Sequence, residues 1–480
     1  MEKAGGHTMV TTLKYASINL EEVLSAKMRL EASVYNVEAR KAKEVLKDCK
    51  WEVVKLWGKN GLIDNAFYPG RFRRIYVDRG NGYPMLLPSQ MRELKPQATK
   101  YISEKTFKAI GNLEVQEKTL LITRSGTIGN CTIVSKWLNG LTMSDDIIRV
   151  KFKEDYDLSF TYTYLLTDIG SIILQTNNYG SVIQHIEPEH LQEVEIPKPS
   201  IELRQKIHSF ITQSFELRDR SNELIEQAEE ILVKALKLPP IENIHPEFYD
   251  GKAIVKTFSV SLDELSNRFD GSYHNPLVGK ILDYFFDSGA TVAPLKNFVR
   301  EITMPGIFKR IYVSAEDGVP FLGTNDILEL NPRVEKFLSK TGHKKLIENQ
   351  LAVKENTILI TDRGTIGNVV LVPDYYEKES WTVSQNSIRI VPKTVDIAGY
   401  LYIFLNSDYG KALSKRETYG AVIDMIDPSN ARQIPIAMLT DRNKIKEIND
   451  LALEAKGLRT QAYNLEKQAI ETMNNEVLYA

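Results

Sequence analysis

The chain has 480 residues, a formal net charge of −2 and 26% charged residues. That is too long for one core and too balanced for a basic, tail-driven polyanion binder, so several domains are expected and any nucleic-acid surface has to be a local patch. The two cysteines, Cys49 and Cys131, exclude a disulfide framework, and no apolar run is long enough to cross a bilayer, so a reducing cytoplasm and no membrane contact are the expectation.

Residues 19–49 are rich in Glu, Lys, Leu and Ala and read as a helical lead-in, with Asn19 as its cap. From Trp51 the pattern changes to short β-rich pieces, among them RIYV at 74–77, KTLLITRS at 118–125 and DIIRVKF at 146–152, separated by Gly, Pro and Asn turns. A Pro-containing exit at 195–207 leads into a long helix. Its apolar and small residues Ile207, Phe210, Ser214, Leu217, Ser221, Leu224, Ala228, Ile231 and Ala235 alternate by three and four, which is a heptad pattern. Pro239 and Pro240 end it, and 239–256 reads as a linker. A second β-rich region follows, with RIYV, NTILITDR and NSIRIVP. After a similar exit at 433–445, Ile448, Leu451, Ala455, Leu458, Ala462, Leu465 and Ala469 repeat the heptad spacing. One such helix could pack on its own domain; two at equivalent ends of two repeats point to an antiparallel coiled-coil pair. The division expected is 1–200 for a first domain, 201–238 for a central helix, 239–256 for a linker, 257–440 for a second domain and 441–475 for a C-terminal helix.

The two halves are copies. GRFRRIYV at 70–77 returns as GIFKRIYV at 306–313, TRSGTIGN at 123–130 as TDRGTIGN at 361–368, and YGSVIQHIEP at 179–188 as YGAVIDMIDP at 419–428. The fold class that follows is α+β: two tandem α/β domains in pseudo-two-fold relation, separated by two long helices in an antiparallel coiled coil. A duplicated reader suits a target that itself has two related parts.

A catalytic constellation is not evident. There is no Walker loop, no GxGxxG after a strand and no GxSxG elbow. Asn275-Pro276 lacks the rest of an amino-methyltransferase motif, and Pro373-Asp374 with Glu377 and Glu379 crowds its carboxylates into one turn. His185, His190 and His343 have no ligand spacing, so no metal or catalytic residue is expected. What the copies share is basic loop chemistry. Arg71, Arg73 and Arg74 recur as Lys309 and Arg310; Arg124 and Arg363 lie one residue apart in register beside the Gly-Thr-Ile-Gly turn; Lys95, Lys100, Lys105 and Lys108 correspond to Lys336, Lys340, Lys344 and Lys345. Gly126, Gly129, Gly364 and Gly367 fit a tight turn, and the same turn could offer amides and an arginine to a phosphate or a guanine edge.

These features together resemble the specificity subunit of a Type I restriction-modification system: two domains each ending in an Ile-Pro exit, an Arg-Gln/Asn-Lys-Ile helix start, Gly-Thr-Ile-Gly after a strand, and a later Gly-x-Val-Ile-x-x-Ile-x-Pro. The stretches at Arg29 and Arg268 are similar to the segments that lead into such target-recognition domains. The resemblance implies that each domain reads one half of a split double-stranded DNA sequence. It also implies that the helices dock two modification subunits, which bind S-adenosylmethionine, and that ATP- and Mg-dependent restriction subunits join where present. No cofactor is expected on this chain. On that reading the DNA-contacting set is Arg71, Arg73, Arg74, Lys100, Arg124, Ser125 and Thr127 in the first copy and Lys309, Arg310, Lys344, Arg363 and Thr365 in the second. The helix set is Ile207, Phe210, Leu217, Leu224, Ile231, Ile448, Leu451, Leu458 and Leu465. The second exit lacks the proline and glutamine found as Pro199 and Gln205 in the first, which puts equal docking at the two ends in doubt. A related phage-defence or combined restriction-methylation assembly, or a coiled-coil scaffold that binds no DNA, are the competing readings.

Overall fold

The computed structural model describes residues 17–25, 28, 37–106, 110–176, 185–244, 258–265, 268–364, 366–420 and 423–480. The lead-in segment at 29–36, most of the expected linker, Lys108, Thr365 and parts of the late Gly-x-Val-Ile motifs lie outside them. Within the described residues, Leu20–Ser25 and Val37–Asp48 of the expected lead-in are helical.

Each copy builds two four-stranded sheets with the same strand order. In the first, Ile63–Phe67, Ile147–Phe152, Leu120–Thr123 and Cys131–Ile133 lie side by side; in the second, Val299–Thr303, Ser387–Pro392, Ile358–Thr361 and Val369–Leu371 do. These pairings are antiparallel. The inner strands, Leu120–Thr123 and Ile358–Thr361, are buried at every position, which is why they read as unbroken apolar runs. A smaller sheet joins Tyr76–Val77, Lys100–Ile102, Tyr83–Leu86 and Thr142–Met143, and its counterpart joins Tyr312–Val313, Phe337–Ser339, Gly318–Leu322 and Thr382–Val383.

The Pro-containing exits are strands. Glu195–Lys198 pairs with Glu52–Lys55, and Pro435–Met438 with Thr291–Pro294. A buried tyrosine hydroxyl braces each, Tyr164 donating to the Glu195 carbonyl at 2.8 Å and Tyr400 to the Ala437 carbonyl at 2.5 Å. Ser200 then caps the helix Ile201–Ala235, and Asp441 caps Arg442–Thr472 through the Asn443 and Lys444 amides. The proline missing from the second exit therefore leaves the helix start intact.

The two long helices run antiparallel in contact. Lys206 meets Glu476 at 2.6 Å, the Ser214 hydroxyl donates to the Ala462 carbonyl at 2.8 Å, and Arg459 reaches Ser221 and Asn222 at 3.2 Å. One line of the expected heptads is where the spacing places it, Ile207, Ser214, Ser221 and Ala228 on one helix and Ile448, Ala455, Ala462 and Ala469 on the other, all buried. The second line lies one residue further on. Ile211, Arg218, Ile225 and Leu232, with Ala452, Arg459, Glu466 and Met473, are buried in the positions expected for Phe210, Leu217, Leu224 and Ile231, and for Leu451, Leu458 and Leu465. Those residues sit on the flanks. Phe210 packs on the first domain's core; Leu224, Ile231, Leu451 and Leu458 pack on the second's, and Leu217 reaches the cluster around Tyr375, Trp381 and Tyr463. The shift arises because three members of the true line are charged and are buried with polar partners, Arg218 beside Glu466 and Arg459 on Ser221 and Asn222. Glu466 accepts from the Tyr162 hydroxyl at 3.1 Å and lies 3.9 Å from Arg218.

The domains also touch directly. Glu-Leu-x-Pro recurs at 93–96 and 329–332, and these equivalent segments meet. Glu93 bridges to Glu329, the Leu94 amide donates to the Leu328 carbonyl at 2.9 Å, and Arg92 pairs with Glu329 at 2.8 Å. A pseudo-two-fold axis here forces like charge against like. Burial, and for Glu93 the facing Glu329, push both carboxyls up to about 7.

Two outcomes follow for stability. Glu466→Ala leaves Arg218 buried without its carboxylate and is expected to cost about 3 kcal/mol in urea denaturation, most of it recovered when Arg218 is also replaced by Met. Glu93 binds its proton more tightly in the folded state than at its ordinary 4.5, so its contribution falls as pH rises from about 4.5 to about 7 and is flat above. Glu93→Gln should therefore raise the thermal midpoint more at pH 8 than at pH 5. An equal change at both would show that the carboxyl is not held protonated.

Candidate nucleic-acid interface

The basic loops of each copy are organised around a buried arginine that the sequence does not advertise. Arg149, in the strand Ile147–Phe152, is 2% exposed and donates to the carbonyls of Met143 at 3.2 Å, Ser144 at 3.3 Å, Ile147 at 2.6 Å and Leu113 at 3.3 Å. Arg389 occupies the same place in the second copy and donates to Val383 at 2.6 Å and Ser384 at 3.0 Å. Among the described residues no carboxylate pairs with either. Burial pulls both down to about 10, which leaves them charged at neutral pH. Three carbonyls of one tight bend replace water around each guanidinium, with Leu113 adding a fourth at Arg149, so each arginine fixes the loop that wraps it, 143–147 or 383–387.

That loop is the hub. In the first copy Asp145 pairs with Arg74, and Asp146 accepts from Arg124 at 3.2 Å and from the Ser125 hydroxyl. Arg124 also donates to Glu187, at 3.1 Å from Nε, and its guanidinium lies 4.4 Å from the Tyr68 ring centre. Its hydrogen bond with Glu187 and the adjacent charges hold its pKa above the ordinary arginine value. In the second copy Asp362 stands in register with Arg124, 1% exposed, with Arg363 folded back on it at 2.8 Å. The Asp362 amide donates to the Asn386 carbonyl at 3.2 Å, and Arg310 donates to Gln385 at 3.0 Å.

The Gly-Thr-Ile-Gly turn has the left-handed glycines its sequence requires, Gly126 and Gly129 at φ 72° and 85°, Gly364 and Gly367 at 75° and 91°. The late Ile-x-Pro motif closes over it. The Ile186 amide donates to the Arg124 carbonyl at 3.0 Å, and the Ile426 amide to Asp362 at 2.9 Å.

Of the candidate contacts, Arg71, Arg73, Lys100, Thr127, Lys309, Arg310, Lys344 and Arg363 are exposed, whereas Arg74 and Ser125 are half-buried. The small sheets gather several of them. Lys100 lies 5.6 Å from the Tyr76 ring, and the Ile75 amide donates to the Thr106 hydroxyl at 2.9 Å, bringing Lys105 alongside. In the second copy the Ile311 amide donates to His343 Nε2 at 3.0 Å, which sets Lys344 and Lys345 beside Lys309 and Arg310. Lys95 leaves the cluster, facing Glu226 and Glu229 of the central helix. Arg124, expected at the DNA, is 4% exposed and gives three of its five N–H groups to two carboxylates, so it braces the turn from within and presents little surface to a base.

The family model of the Type I restriction modification DNA specificity domain matches residues 76–230. That stretch is therefore similar to a Type I restriction modification DNA specificity domain. The matched stretch runs from the small sheet's first strand through most of the central helix, and so takes in Lys100, the Arg124 turn and the Asp145 hub. The second copy reproduces the specificity domain's strand order in both sheets. No curated protein matches the chain. Among solved structures it is similar to the S subunit of a Type I restriction-modification system from M. genitalium, 12% identical over 89% of this chain and 96% of that one, TM-score 0.32. It is also similar to the HsdS subunit from Thermoanaerobacter tengcongensis, 10% identical over 88% and 95%, TM-score 0.26. No described helix is long and apolar enough to cross a membrane.

Sequence reading missed the hub because an arginine inside a strand looks like a surface residue. The signal was its recurrence, as Ile-Arg-Val and Ile-Arg-Ile, five residues after a serine in each copy. Both turn arginines brace carboxylates, half-buried ones at Arg124 and a buried one at Arg363. Arg124→Ala is expected to cost about 3 kcal/mol of stability, because it strands Asp146 and Glu187 in a partly buried site. Arg363 is itself exposed, but it pairs with Asp362, whose side chain is 2% exposed, so Arg363→Ala strands a buried carboxylate and should also cost about 3 kcal/mol, most of it recovered when Asp362 is replaced by Asn. Chemical denaturation of the single and double variants checks this, and a double variant no more stable than Arg363→Ala would show that the pair does not hold the turn.

Proposed function

We propose that the chain is the DNA-reading subunit of a Type I restriction-modification assembly. In this reading each specificity domain recognises one half of a bipartite duplex target and the antiparallel helix pair sets the gap between them. The observation that carries the proposal is the repetition itself: the same exposed cations on the same small sheet, in two domains clasped on one helix pair. The chain would supply recognition and no chemistry. Methylation would come from two partner modification subunits that bind S-adenosylmethionine, and cleavage, where it occurs, from ATP- and Mg-dependent restriction subunits.

Electrostatic contact with phosphates makes affinity fall steeply with salt. Selection of bound sequences from a random duplex pool by the full chain should enrich two conserved blocks separated by a fixed gap, with binding that weakens several-fold or more between 50 and 200 mM salt. A scaffold that binds no DNA would enrich nothing.

The helix pair adds a geometric test. A heptad inserted after Leu224 and another after Ala455 keeps the buried lines in phase and adds ~10 Å of rise. The direct contact between 92–94 and 328–331 has to part to accommodate it. The expected result is a longer gap between unchanged blocks, read by sequencing methylated sites with the partner subunits present. Altered blocks with the old gap would show that the helices do not set the spacing.

A further inference from the structure

The two hubs are built alike and differ in one chemical respect. Arg149 and Arg389 clamp equivalent tripeptides, Ser144-Asp145-Asp146 and Ser384-Gln385-Asn386. In the first, the Arg74 guanidinium is closed against a carboxylate whose side chain is 5% exposed. In the second, the equivalent Arg310 is exposed and donates at 3.0 Å to a half-buried neutral amide.

Resting on the DNA-reading function proposed above, we propose that Arg310 and Gln385 form a base-reading pair selective for guanine in the half-site of the second domain. A guanidinium has donors and no acceptor, so its contact with Gln385 turns the amide oxygen toward Arg310 and leaves the two Nε2 hydrogens facing away. The pair then presents mostly donors: the Gln385 amide hydrogens and the remaining Arg310 N–H groups, with one lone pair of Oε1 already taken. In the major groove, guanine offers two adjacent acceptors, N7 and O6. Adenine sets a donor beside its acceptor, cytosine offers a donor, and thymine has one acceptor beside a methyl group. A glutamine acting alone would pair with adenine; here Arg310 takes one lone pair of the oxygen that adenine needs and sets a guanidinium against the adenine amino group.

The surroundings suit the role. The buried Arg389 holds the loop carrying Gln385, so the amide is presented from a fixed backbone. The guanidinium of Arg310 lies 5.6 Å from the Phe321 ring, which supports its plane from one side. Lys309 and Lys344, exposed on either side, are placed for phosphates. The first domain shows the closed alternative, in which Asp145 neutralises Arg74.

The experiment is sequence selection by the full chain from a random duplex DNA pool, with Gln385→Glu and Asp145→Asn beside the unaltered protein. Glutamate is isosteric with glutamine and reproduces the closed pair of the first domain. It should reduce enrichment of guanine at one position of one block about tenfold to a hundredfold, with the other block unchanged. Asp145→Asn opens the first pair and should add guanine preference at one position of the other block. Loss of binding spread evenly over all positions, or an adenine preference at the affected position in the unaltered protein, overturns the assignment while leaving the DNA-reading function standing. Failure of the unaltered chain to enrich any sequence overturns both.

Discussion

Everything in this molecule hangs on the contact between two antiparallel helices whose middle is polar. At their centre Ser214, Arg218, Ser221 and Asn222 face Arg459, Ala462 and Glu466, whereas toward the ends the same stripe turns apolar. An all-apolar stripe would tolerate sliding by a heptad. A buried guanidinium matched to one serine and one amide does not, because a slipped register would leave it without partners in a dry interface. The polar layer thus converts a sticky pair into one with a single register, and the register sets where the two domains sit.

Each helix serves both domains. The first half of Ile201–Ala235 lies in the first domain's core beside Met473 and Val477, and the second half lies in the other core beside Ile448 and Ala452. Neither domain is a bead on a string. Duplication then brings equivalent segments face to face on the pseudo-axis, which is why Glu93 meets Glu329. Arg92, which has Leu328 as its counterpart, breaks the symmetry and supplies a countercharge to Glu329.

The recognition surface rests on a different economy. A buried arginine that spends its donors on backbone carbonyls makes a loop rigid without constraining the loop's own side chains. Asp145 and Gln385 can then differ while the backbone beneath them stays the same. That separation of support from side chain lets a pair of domains share one fold and still carry different chemistry at one place.

The duplication, the α+β class, the glycine turns and one line of each helix stripe were legible in the chain, because they depend on local spacing and on the backbone freedom of glycine. Ile207, Ser214, Ser221 and Ala228 repeat at seven, and no tertiary information is needed to see it. The other line was not legible. Arg218, Arg459 and Glu466 look like solvent residues until a partner from some 240 positions away arrives, and Leu217 and Leu458 looked like seam residues because apolarity does not say which neighbour it will meet. Arg124 and Arg363 were likewise indistinguishable beside their shared turn, yet one is buried between Glu187 and Asp146 and the other is half-exposed over a buried Asp362. Periodicity and turn chemistry are properties of neighbours in the chain; whether a charge is a strut or a free donor depends on what the fold brings within hydrogen-bond distance of it.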